Sequence, residues 1–146
     1  MKVAMYLNDK GGLKTYSKYL VDALKKNKLD IQTSNDFKRN VNIYHIQFES
    51  SLFHPFGLGV VPKIFLLRLK RKKVVLTMHT VLSKNNIYSR NGIINFAKKI
   101  ILPITNRLIC TSANKVIVHR NALKDVLVNE YGANKNNIEV IAHGAY

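Results

Sequence analysis

The chain carries one cysteine, Cys110, so no internal disulfide can form, which suits a reducing cytoplasm. It has no apolar run near the roughly 20 residues that span a bilayer. Its opening Met-Lys-Val-Ala-Met-Tyr-Leu is broken too early for a signal peptide. Acidic residues are scarce: 8 Asp and Glu stand against 24 Lys and Arg, a formal net charge of +16. That imbalance exceeds the needs of a solvated surface and points to a polyanionic partner, whether nucleic acid, an anionic membrane or a phosphorylated substrate, with a chain-wide bias toward Lys, Asn and Ile as the competing reading. A recognised nucleic-acid motif and an aromatic stacking platform are both missing, which argues against nucleic acid. Gly-x-Gly-x-x-Gly is absent, as is a glycine loop ending in Gly-Lys-Ser/Thr, so neither a dinucleotide fingerprint nor a Walker loop is present. The five histidines lack His-x-x-x-His spacing and Cys110 has no partner cysteine, so the spacing argues against a metal site, and no cofactor is expected.

What remains is room for one ordinary domain. At 146 residues with 47% hydrophobic residues, the chain is long and apolar enough for a real core. Internal repeats and low-complexity linkers are missing. Strand candidates are Lys2–Leu7, Asp30–Thr33, Val41–Phe48, Lys73–Met78, Lys115–His119 and Ile138–Ala142. Several are β-branched and nearly continuous, as in parallel strands covered on both faces. Helices are expected at Leu13–Asn27, about Leu58–Lys72, about Ile93–Ile109 and Ala122–Tyr131. Asn121 is placed to cap the last of these and Gly132 to close it in a left-handed conformation. Pro62 fits a first helical turn, whereas Pro103 should kink or divide its helix. The alternation predicts an α/β fold: a Rossmann-like, doubly wound parallel sheet with right-handed crossovers, in one domain spanning residues 1–146.

The first strand runs into Asn8-Asp9-Lys10-Gly11-Gly12 and then an amphipathic helix. A helix start facing a strand's end offers free N–H donors and a favourable dipole to phosphate. Lys10 and Lys14 would add charge. Other polar residues also fall after strands: Gln47, Phe48 and Glu49 close the third, His79 and Thr80 follow the fourth, His119 and Arg120 end the fifth, and His143 follows the sixth. If the strands are parallel, these groups share one rim, where ligands bind in this architecture. His79 is the best candidate for chemistry or substrate contact, since imidazole donates or accepts near neutral pH. A strand-end histidine satisfied by backbone is the competing reading. Glu49 would bond a sugar hydroxyl or pair with a lysine; Arg120 would clamp phosphate or cap carbonyls. His45 is expected to pack within the sheet, His143 to end a strand, and His54 is given no role. The basic cluster from Arg68 to Lys73 reads as a solvated helix end or an anionic-lipid contact. For Ile93 to Ile109, core packing is expected ahead of a membrane interface.

The ordered motifs resemble those of family 4 glycosyltransferases of the GT-B fold. Gly11-Gly12-Leu13 with Tyr16 and Leu20 is similar to their glycine loop and first helix. Asn42 to Glu49 resembles their His-x-Gln strand, and Val74 to Thr80 their strand ending in Thr-x-His. Ala113 to His119 with Asn121-Ala122-Leu123 resembles a strand before a helix, and Ile138 to Gly144 their closing strand, with Ala142 where proline is usual.

The resemblance implies the amino-terminal, acceptor-side half of a retaining enzyme. Such an enzyme moves a sugar from a nucleotide-sugar donor to a glycan or lipid-phosphate acceptor without a bound metal. It implies His79 as catalytic, positioning the reacting sugar or acceptor. Gly11, Gly12, Lys14, Gln47, Glu49, Thr80 and Arg120 are then substrate-binding. The donor-binding domain would lie outside residues 1–146, on the same or a separate chain, and the isolated half should be inactive because half a cleft excludes no water. A cytoplasmic place, peripheral at the inner face of the membrane, fits the basic surface. The competing readings are a non-catalytic basic binding module for nucleic acid or anionic membrane, and a small nucleotide-binding enzyme of another Rossmann class.

Overall fold

A computed structural model of the chain describes residues 2–6, 12–34, 36–37, 40–50, 53 and 57–143. Among them, strands β1 (Lys2–Tyr6), β2 (Asp30–Ser34), β3 (Ile43–Phe48), β4 (Lys73–Met78), β5 (Lys115–Val118) and β6 (Ile138–Val140) form one sheet in the order β2-β1-β3-β4-β5-β6. Every neighbouring pair is parallel. Helices α1 (Gly12–Lys26), α2 (Val61–Leu69), α3 (Gly92–Ser112) and α4 (Asn121–Asp125) make connections between them.

Alternation along the strands sorts side chains onto two faces. Val3 and Met5 of β1 pack with Ile31 of β2 and with Leu20, Val21 and Leu24 of α1. Ala4 and Tyr6 turn the other way, into a larger cluster of Tyr44, Ile46 and Phe48 from β3, Val74, Leu76 and Met78 from β4, Ile64 and Leu67 from α2, and Ile109 from α3. Helices thus cover both faces. The chain steps outward from β1 to β2, then returns past β1 and proceeds through β3 to β6, so right-handed crossovers place α1 opposite the later helices. The reversal between β1 and β3 is the topological switch point, and the crevice outside the strands' carboxyl ends is the favoured ligand position. The sheet is Rossmann-like and doubly wound, as the alternating runs predicted.

Several local expectations need correction. The residue capping α4 is Arg120, in extended conformation with no side-chain cap bond, and Asn121 is already helical. The helix continues through a π segment, Val126–Glu130, before Gly132 closes it at φ +66°. Pro103 does not divide α3, which runs unbroken from Gly92 to Ser112. The carbonyl that loses its partner there is that of Lys99, an exposed residue, so water can replace the bond. The second helix ends at Leu69 rather than Lys72: Arg71 turns left-handed at φ +56°, and Lys72 N–H donates to Leu67 O at 2.9 Å. Pro62 does lie in the first turn of α2.

Core packing describes only the carboxyl half of α3. Leu102, Thr105, Asn106, Ile109 and Cys110 are buried, but Ile93 is 83% exposed, Phe96 68% and Ile100 49%. At about 1.5 Å per residue, α2 is about 13 Å long and α3 about 31 Å, so α2 is too short to cover its neighbour.

Candidate functional site

The strands' carboxyl ends gather the residues singled out by sequence. Gln47 is the fifth residue of β3 and only 1% exposed; Glu49 follows that strand, half-buried. His79 and Thr80 follow β4, and His119 and Arg120 follow β5. Gly12 opens α1 and Lys14, exposed, lies in its first turn. The same edge therefore holds every substrate-binding or catalytic candidate among the described residues. Gly11, like Lys10 and His54, lies outside them.

A hydrogen-bonded chain connects β3 to β4 beneath the rim. His79 Nε2 lies 2.8 Å from Gln47 Oε1, and an amide oxygen only accepts, so the imidazole donates. The other end of that amide, Gln47 Nε2, faces the weakly accepting Met5 sulfur at 3.9 Å and His45 Nε2 at 3.4 Å. The amide nitrogen only donates, so His45 Nε2 is the acceptor, and the Thr77 hydroxyl, 2.8 Å away, donates to the same nitrogen. His45 packs inside the sheet as expected, and burial lowers its pKa from 6.5 to about 4. His79 is lowered to about 4 as well, first by burial and then by repulsion from His119, His143 and His45. Both imidazoles are neutral at pH 7.

Three residues passed over as site candidates complete the group. The Tyr16 ring, one helical turn into α1, lies 5.1 Å from the His79 ring, 5.6 Å from His119 and 4.6 Å from His143. His119 is 5.0 Å from His79 and 4.8 Å from His143, centroid to centroid. His119 Nδ1 donates to Ile141 O at 2.9 Å, while its buried Nε2 has no hydrogen-bond partner. Burial is also the main cause of its lowered pKa. One ring nitrogen from each of His79, His119 and His143 lies within 4.8 Å of the others, a grouping that could hold a cation. The signal for His119 and His143 was their place after strands, the property that singled out His79. Tyr16 carried only its helical position.

The basic cluster lies elsewhere. Asn42, Ile43, Lys70, Arg71, Lys72 and Lys73 line a groove of about 640 Å³ at the start of β3 and β4, the opposite edge of the sheet. Hydrogen-bonding side chains converge instead on the histidine edge, and we place the candidate site there.

An open parallel sheet with polar side chains converging beyond its switch point is a Rossmann-like ligand-binding domain, of the kind that forms half of a GT-B architecture. The family model described as Glycosyltransferase Family 4 matches residues 17–145. The chain belongs to that glycosyltransferase family. No curated protein shows significant sequence similarity to it. Among solved structures it is similar to the TIR domains of the activated Roq1 resistosome that directly recognises the pathogen effector XopQ. Identity there is 15%, with 92% of each chain covered and a TM-score of 0.43, a likeness too slight to bear on fold or function.

Proposed function

We propose that residues 1–146 form the acceptor-side domain of a retaining glycosyltransferase. It would move a sugar from a nucleotide-sugar to a glycan or lipid-linked acceptor, with turnover only once a donor-binding domain, on the same or a separate chain, closes the cleft. Family membership supports the class of reaction. The observation that carries the rest is the bonded rim: Gln47, on β3 beside the switch point, bonds His79 at the end of β4 and fixes the ring's orientation. A neutral His79 so held, its Nε2–H committed to Gln47, can accept from a sugar hydroxyl through Nδ1. Gly11, Gly12 and Lys14 would meet the donor diphosphate at the start of α1, Glu49 and Thr80 the acceptor or sugar hydroxyls, and Arg120 a phosphate.

The same reading puts the protein in the cytoplasm against the inner face of an anionic membrane. In support, α3 exposes Ile93, Phe96, Ile100 and Ile104 beside Lys98 and Lys99, a pattern suited to lying in an interface. Among the described residues no helix is long and apolar enough to cross a membrane.

The test supplies the missing half. The chain is mixed with a family 4 donor-binding domain, and transfer of labelled sugar from a panel of nucleotide-sugars to lipid and glycan extracts is measured. The reading expects no transfer by the chain alone, transfer by the mixture, and a drop of about 10²-fold or more for His79→Ala, the scale of a positioned acid–base group. Transfer indifferent to His79, or none across the donor panel, would overturn it.

A further inference from the structure

The topology assembles something that residue spacing did not reveal. His79, His119 and His143 are 40 and 24 residues apart, yet each follows the end of a neighbouring strand, β4, β5 and β6. Parallel pairing in register places those ends side by side. We propose that these three histidines bind one divalent cation of the zinc class, each through one ring nitrogen.

Two independent observations lead there. The first is proximity: the candidate nitrogens already lie within 4.8 Å of one another. Zinc–nitrogen bonds of 2.0–2.1 Å in a tetrahedron put ligand atoms about 3.3 Å apart, so modest side-chain rotation closes the set. The second is the unpartnered His119 Nε2. His119 is 9% exposed, and its Nδ1–H is committed to the Ile141 carbonyl, which only accepts. Its Nε2 therefore carries a lone pair, buried and unused. A buried acceptor without a donor is costly, and a cation would satisfy it.

The surroundings are those of a metal-binding imidazole. Ligating histidines hold their second nitrogen by donating to a carbonyl or carboxylate, which fixes tautomer and ring plane. His119 does so to Ile141 O, and His79 to Gln47 Oε1, leaving His79 Nδ1 with its lone pair. The Tyr16 ring contacts all three imidazoles and limits water on that side. Three nitrogen ligands favour zinc, cobalt, nickel or copper over magnesium or calcium, which prefer oxygen. Three protein ligands also leave a fourth position open to water or an anionic group. A cation and a sugar hydroxyl would compete for the same atom, His79 Nδ1, so the cation is titrated into the chain without sugar, where the outcome does not depend on the sugar-transfer reading.

Cobalt(II) is the probe, because four-coordinate cobalt absorbs strongly in the visible. The full chain, freed of metal with a chelator, is titrated with cobalt chloride and then with zinc chloride. We expect one equivalent of cobalt with a tetrahedral spectrum, displaced by zinc, and a melting temperature that rises with zinc concentration. His119→Ala should weaken binding by at least 10-fold and abolish the spectrum. His143→Ala should do the same, and because His143 is exposed that variant will fold even if His119→Ala does not. His45→Gln, at a histidine whose Nε2 is engaged by Thr77, should keep the stoichiometry. Weak six-coordinate cobalt absorption, or binding unchanged in His143→Ala and in a folded His119 variant, would overturn the proposal.

Discussion

His45 makes stability depend on pH, and the dependence can be isolated. The ring lies in β3, 9% exposed, and burial holds its pKa near 4 against an ordinary 6.5. Its Nε2 accepts from the Thr77 hydroxyl, and the Gln47 amide nitrogen faces it too, so a protonated ring would set donors against donors. Thr77 and Gln47 are uncharged; His79 is the charged neighbour that adds to repulsion at acid pH. The folded pKa is below the unfolded one, so the unfolded state takes the proton first. The contribution is full above pH 6.5 and is lost as pH falls from 6.5 through 4. With a gap of about 2.5 units at 1.36 kcal/mol each, His45 accounts for about 3 kcal/mol of acid destabilisation. Urea unfolding followed by circular dichroism at several values from pH 7.5 to 4 measures it. In His45→Gln, which bonds to Thr77 but does not titrate, the curve should be flatter by close to one proton's slope. Parallel curves for the two proteins would refute the reasoning.

Gln47→Leu removes the amide that joins His79 and His45 while keeping the side chain's bulk; it should cost about 1–3 kcal/mol. At about 3 °C per kcal/mol for a domain of this size, a thermal melt should fall by about 3–9 °C, and an unchanged melt would mean the bridge is idle. Gly57 sits at φ +83°, and a Cβ there would meet Phe48 Cζ at 2.8 Å. Gly57→Ala should therefore cost about 2–4 kcal/mol, from left-handed strain plus displacement of a buried ring, seen as a lower urea midpoint. Cys110 is 3% exposed and burial pushes its thiol up to about 12. A colorimetric disulfide reagent at pH 8 should therefore label it only after denaturation, and rapid labelling of the native chain would contradict its place in the core.

The sheet was legible because each strand carries its signal locally. Lys73–Met78 was bounded to the residue and the other strands within a residue or two; β1, β4 and β5 are nearly continuous apolar runs, whereas the edge strand β2, Asp30–Ser34, is largely exposed and carries a weaker signal. The strand ends followed, and with them Gln47, His79 and Arg120 on one edge. The pattern could not tell which strand ends lie close enough for rings to touch. That depends on the order β3-β4-β5-β6, which brings His79, His119 and His143 together and which no residue spacing encodes. Histidine spacing along the chain reports only on residues that share one helix or loop. The exposed half of α3 was hidden for a similar reason: Phe96 and Leu102 look alike in sequence, and only the packing of neighbouring elements decides that Phe96 is 68% exposed and Leu102 buried. Pro103 removes one helical hydrogen bond without dividing α3, so of the two expected effects division did not occur.

Side chains from α1, β3 and the ends of β4, β5 and β6 meet at one rim. Nuclear Overhauser spectroscopy on a chain labelled in its histidine and tyrosine rings measures this most directly. The Tyr16 ring should show cross-peaks to the His79, His119 and His143 rings, with the ring proton of His119 on Nδ1 and that of His79 on Nε2. Tyr16 silent toward all three, or His79 and His119 without mutual contact, would contradict the account.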